Sequence, residues 1–163
     1  MEFCRILILG TLKCYIEIKG YFKVGVIIMK MENIELAYVK ILDVFKGKIT
    51  EHLKTLDAAQ IDEVLKNRDC EAFSTQWTQT YNEVSKIKQK EKITEMYKKY
   101  DEKLRRSIFL EVYNITLSGD MASYISDDFG LILDSFVFNY KDNCINSLWN
   151  QYTRGKIPKE KLR

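Results

Sequence analysis

The chain predicts an all-α fold, a single-domain bundle of five to six helices, and three observations carry that expectation. Apolar residues recur at helical spacing through most of the chain beyond residue 31. The one proline, Pro158, leaves everything before it free of the strongest helix breaker, and only four of the seven glycines fall after residue 30. A length of 163 residues with 46% hydrophobic and 30% charged composition suffices to bury a core without disulfide or metal staples.

The first 30 residues obey different rules. They carry Arg5, Lys13, Lys19, Lys23 and Lys30 against Glu2 and Glu17, a charge of +3 that equals the excess of the whole chain. Residues 14–19 and 21–28 are rich in β-branched and aromatic side chains around Gly20, a weak hairpin signal. Met29 and Met31 both suit a translation start, so the prefix reads either as a β-like or disordered segment or as non-native upstream translation. The expected organisation is a prefix over 1–30, a helical domain over 31–157 and a basic tail over 158–163.

The helices follow in order. Ile34, Ala37, Tyr38, Ile41, Leu42 and Phe45 form one apolar stripe; Gly47 weakens the helix, and Ile49, Leu53 and Leu56 continue it. Asp57 and Gln60 read as a relaxed capping box opening a short helix with Ile61, Val64 and Leu65 inside, and a new start falls near Asp69. Phe73, Trp77, Tyr81, Val84 and Ile87 give an aromatic stripe that needs a partner helix, with both tryptophans, Trp77 and Trp149, expected in the packing. After a turn at residues 88–92, Ile93, Met96, Tyr97, Tyr100, Leu104, Ile108, Val112 and Ile115 sustain the period until Ser118 and Gly119 stop it. Ser126 is read as a cap, with Asp127 and Asp128 in the first turn and Phe129, Ile132, Leu133, Phe136, Val137 and Tyr140 on the buried face. Asp142 caps a last helix containing Ile145, Leu148, Trp149 and Tyr152, ended by Gly155 and Pro158.

Many chemistries lack their residues. His52 is the only histidine, and none of the GxGxxG, GxxxxGK[ST] or HExxH patterns occurs. Cys4, Cys14, Cys70 and Cys144 form no CxxC pair, which suits reduced, buried thiols in a cytoplasm. The carboxylate pairs Asp62 and Glu63, Asp101 and Glu102, and Asp127 and Asp128 are sequence neighbours, which a helix turns about 100° apart. No catalytic residue, metal or cofactor is expected. Lys13, Glu17, Lys19 and Lys23 interrupt the apolar prefix short of the ~18–20 residues of a membrane span.

Charge is the more suggestive feature. Residues 86–106 hold nine basic against four acidic side chains, and residues 111–142 hold six acidic against Lys141 alone. The two blocks either neutralise each other across the bundle or leave one of them as a docking field. The second reading selects Asp120, Asp127, Asp128, Asp134 and Asp142, with Tyr124 beside them, as a solvent-facing acidic surface for a protein partner with a basic surface. The expected function is a non-enzymatic cytoplasmic protein-binding module of bacterial type, such as a toxin-immunity or antitoxin partner. A helical enzyme with a carboxylate-based site is the alternative, followed by a weak nucleic-acid binder using Lys86 to Arg106.

Overall fold

The computed structural model describes residues 33–91, 93–160 and 162. The hairpin read into residues 14–28, the starts at Met29 and Met31, and Cys4 and Cys14 lie outside the described residues. Six helices and no strand are found among those described.

Helix α1 runs over residues 33–53, with a π-helical stretch at Phe45–Ile49 and a final α turn at Thr50–Leu53. The sequence explains the widening. Ile41, Phe45, Ile49 and Leu53 are all buried and step by four residues, a spacing that drifts around an ordinary α-helix by about 40° each time. A π segment has more residues per turn and holds this stripe against the core.

Helix α2 spans Ala58–Arg68 and opens with the expected capping box: Asp57 Oδ1 accepts from the Gln60 N–H at 2.8 Å, and Gln60 Oε1 accepts from the Asp57 N–H at 2.9 Å. Helix α3 spans Glu71–Lys90 and stops at the expected turn. Helix α4, Glu95–Thr116, is capped by Thr94, whose hydroxyl accepts from the Tyr97 N–H.

The next boundary corrects the sequence reading. Helix α4 ends through Leu117 in the left-handed region, at φ 56°, and Ser118 does not stop a helix but starts one. Its hydroxyl accepts from the Met121 N–H at 3.2 Å and opens α5, Gly119–Val137. Ser126, Asp127 and Asp128 therefore lie in mid-helix rather than in a first turn. Asp142 caps α6, Asn143–Thr153, as expected, accepting from the Ile145 N–H at 2.7 Å.

Helix α5 is the centre of the bundle. Its most extensive pairing is with α4, and it also packs on α2, α3 and α6. Every residue from Asp128 to Ser135 is buried, the signature of a helix surrounded on all sides. Gly130 permits one close approach: the Arg105 side chain crosses it so tightly that a Cβ there would lie 2.0 Å from Cζ. The basic tail folds back on the body, where Pro158 and Leu162 are buried and the Leu162 N–H donates to Gln76 Oε1 at 2.9 Å.

Candidate functional site

Two of the six predicted surface residues are in the interior. Asp128 is fully buried, and its carboxylate accepts four hydrogen bonds from three other helices. Arg68 of α2 donates from Nη1 to Oδ2 and from Nη2 to Oδ1, both at 2.8 Å; Trp77 of α3 donates from Nε1 to Oδ1 at 2.8 Å; and Tyr152 of α6 donates to Oδ2 at 2.6 Å. Asp134 is 2% exposed and takes Lys88 Nζ of α3 at 2.8 Å and the Tyr97 hydroxyl of α4. Burial raises the Asp134 carboxyl above its ordinary value against the pull of Lys88, and burial followed by Asp134 raises the Tyr97 phenol. The expectation that Asp127 and Asp134 share a solvent-facing side is thus corrected: α5 has neighbours on most of its circumference, so seven residues of separation bring Asp134 under α3 and α4.

The other four are placed differently. Asp120, Tyr124 and Asp127 fall at i, i+4 and i+7 and form one stripe at the outer edge of α5. Asp120 and Asp127 are exposed and Tyr124 is half-buried. Asp142 lies apart, half-buried, where it caps α6 and accepts from the Thr80 hydroxyl at 2.5 Å and the Tyr140 hydroxyl at 3.1 Å.

Beside the stripe opens a cleft of about 180 Å³ lined by Arg68, Asp69, Phe73, Trp77, Tyr124 and Asp127, among others. The Tyr124 hydroxyl donates to Asp69, a bond that raises the phenol, and its ring lies 4.9 Å from the Arg68 Cζ, with Phe73 at 4.5 Å. Trp77 stacks on the exposed Tyr81 at 5.3 Å; it and Trp149 both pack against the core as expected, each half-buried rather than buried. Asp127 pairs with Arg105 Nη1 at 2.7 Å while Arg105 Nε holds Asp101 at 2.9 Å. Burial raises the Asp127 carboxyl, with Arg105 opposing.

The two charge blocks do meet, through Lys88 to Asp134 and Arg105 to Asp127. That engages two members of the basic block that a nucleic-acid reading would use. A second cleft of about 410 Å³ contains His52, Gln60, Glu63, Lys156 and Lys159; Lys159 Nζ holds Glu63 there at 2.8 Å.

Arg68 was missed in the sequence because it sits in the last turn of a short helix, where a basic residue already has a reason to be. Asp128 carried a usable signal. It lies three residues after Ile125 and four before Ile132, on the apolar stripe itself.

The described residues thus form an all-helical body with a buried ionic centre and a cleft at its edge lined by carboxylates and aromatic rings. The family model described as Immunity protein PIM1 matches residues 40–159, and the chain belongs to that family. Its role is toxin immunity, exercised by binding another protein. No curated protein matches the chain. Among the described residues, no helix is long and apolar enough to cross a membrane.

Proposed function

We propose that the protein neutralises its toxin by occupation rather than by chemistry, meeting a basic toxin surface with the stripe of Asp120, Tyr124 and Asp127 and the adjoining Asp69. The observation that carries this reading is the convergence of exposed carboxylates with the half-buried aromatics Trp77 and Tyr124 around one cleft of a family member whose role is binding. A single-sign field speeds encounter with an opposite surface, and amphipathic rings supply contact area once water leaves. Asp128 and Asp134 support binding indirectly, by holding α5 rigid under the stripe.

A cytoplasmic setting fits the chemistry of the cysteines. Both described cysteines are free, as expected; Cys144 is buried, its thiol pushed up to about 11 by burial, whereas Cys70 is exposed, against the expected burial, because it lies at the turn that opens α3.

The test is kinetic. Asp120→Lys and Asp127→Lys together, measured at low and moderate salt against a toxin captured by pull-down with the wild-type chain, should slow association and flatten its salt dependence while circular dichroism stays unchanged. Unchanged rates in a folded double variant would overturn the acidic surface.

A further inference from the structure

Arg68 ends with an orphaned donor. Its side chain is 3% exposed, and three of the five guanidinium N–H groups are used: two on Asp128 and one on the Pro158 carbonyl at 3.0 Å. Among the described residues, Nε is buried without a partner. A buried charged donor left unpaired is costly, and this one belongs to a residue that lines the cleft.

What acceptor fits is decided by the charge around it. Arg68 and Arg105 stand against the carboxylates of Asp69, Asp101, Asp127 and Asp128, leaving a formal charge of −2. An anionic acceptor is repelled by that excess, and a neutral one is not. A peptide carbonyl is the neutral acceptor every protein partner carries, and the surplus negative charge calls for a cation beside it.

Building on the acidic-surface reading, we propose that the cleft is a socket for one basic residue of the toxin. The residue's guanidinium or ammonium group takes Asp69 and Asp127, and its main-chain carbonyl accepts from Arg68 Nε once the Tyr124 ring beside the Arg68 guanidinium swings aside. On binding, the incoming cation displaces Arg105 from Asp127, and Arg105 keeps Asp101.

The probe is N-acetyl-arginine N-methylamide, titrated into the ¹⁵N-labelled full chain while the Arg68 Nε–H and Trp77 Nε1–H resonances are followed. Saturable shifts with a dissociation constant on the order of millimolar are expected for a ligand of this size. Ethylguanidinium, which lacks the carbonyl, should bind more weakly and leave the Arg68 Nε–H in place; the norleucine analogue should not saturate. Asp69→Asn with Asp127→Asn should abolish saturation, and the blocked arginine should compete with the toxin. Equal binding of ethylguanidinium, preference for the blocked glutamate, or saturation without competition would each overturn the socket. Slowed toxin association in the lysine variants together with no saturation by arginine would overturn the socket and leave the acidic surface standing. Competition by arginine, with association unchanged but dissociation faster in the lysine variants, would do the reverse, since Asp127 belongs to the socket as well as to the stripe.

Discussion

Asp127 and Asp128 are neighbours in the chain with opposite surroundings. The Asp127 side chain is 52% exposed and shares one arginine, Arg105, with Asp101; that of Asp128 is 0% exposed and accepts four hydrogen bonds from three helices. The same contrast divides the whole helix: Asp120 and Asp127 stand on a rim where water screens them, whereas Asp128 and Asp134 lie where it does not. A carboxylate in the first setting contributes little to stability and is free to act on a partner. In the second it cannot be removed without leaving an uncompensated charge, so it fixes where α2, α3, α4 and α6 sit.

The largest effect should therefore come from the interior. Asp128→Ala leaves Arg68, itself 3% exposed, without its counter-charge and should cost about 3–5 kcal/mol in urea unfolding. Replacing both members, Arg68→Met with Asp128→Leu, should recover most of that loss, because apolar side chains of similar size need no partner. A double variant as unstable as the single would show that Trp77 and Tyr152, rather than the charge pair, carry the energy.

Much of this division was legible beforehand, and the part that was not has a physical cause. The capping signals at Asp57 and Asp142 are local, each a side chain bonding an N–H three residues on, and both are found as read. Ser118 and Gly119 are equally local but ambiguous, since serine caps starts and glycine follows ends. Choosing the end moved the start of α5 to Ser126 and turned Asp128 into a first-turn acid. With the true start at Gly119, the stripe of Met121, Ile125, Asp128 and Ile132 places that carboxylate inside. Asp134 offered no such sign, because its burial depends on α3 and α4 arriving from elsewhere in the chain.

Asp134 sharpens the comparison at intermediate size. Its partner Lys88 is 22% exposed and can rehydrate, so Asp134→Asn should cost only about 1 kcal/mol near neutrality. The pH dependence distinguishes it further. Since burial raises the folded-state value, the native chain holds this proton more tightly than the unfolded one. The group's contribution is then fully present below the ordinary 3.8 and is lost as pH rises through the folded value. The stability difference between wild type and Asp134→Asn should shrink over that window; a difference that widens would mean the ion pair with Lys88 outweighs desolvation.

The smallest effect tests the rim without changing any charge. Gly130→Ala puts a Cβ 2.0 Å from Arg105 Cζ, 2.2 Å from Nη2 and 2.5 Å from Nε, so the guanidinium has to move off α5. Those atoms are the far end of a flexible side chain, and the move is cheap. Alanine improves helix propensity by about 1 kcal/mol over glycine, and the pair of half-buried Arg105 with the exposed Asp127 is of the water-screened kind worth about 0–1 kcal/mol, so the two terms nearly cancel. Thermal stability should stay within a few degrees of wild type. Asp127, however, loses its internal partner. If that carboxylate is what the toxin's cation reaches, the incoming group no longer has to displace Arg105, and dissociation of the complex should slow. Faster dissociation would show instead that Arg105 positions Asp127 for the partner, and that the rim, like the interior, depends on its own arginine.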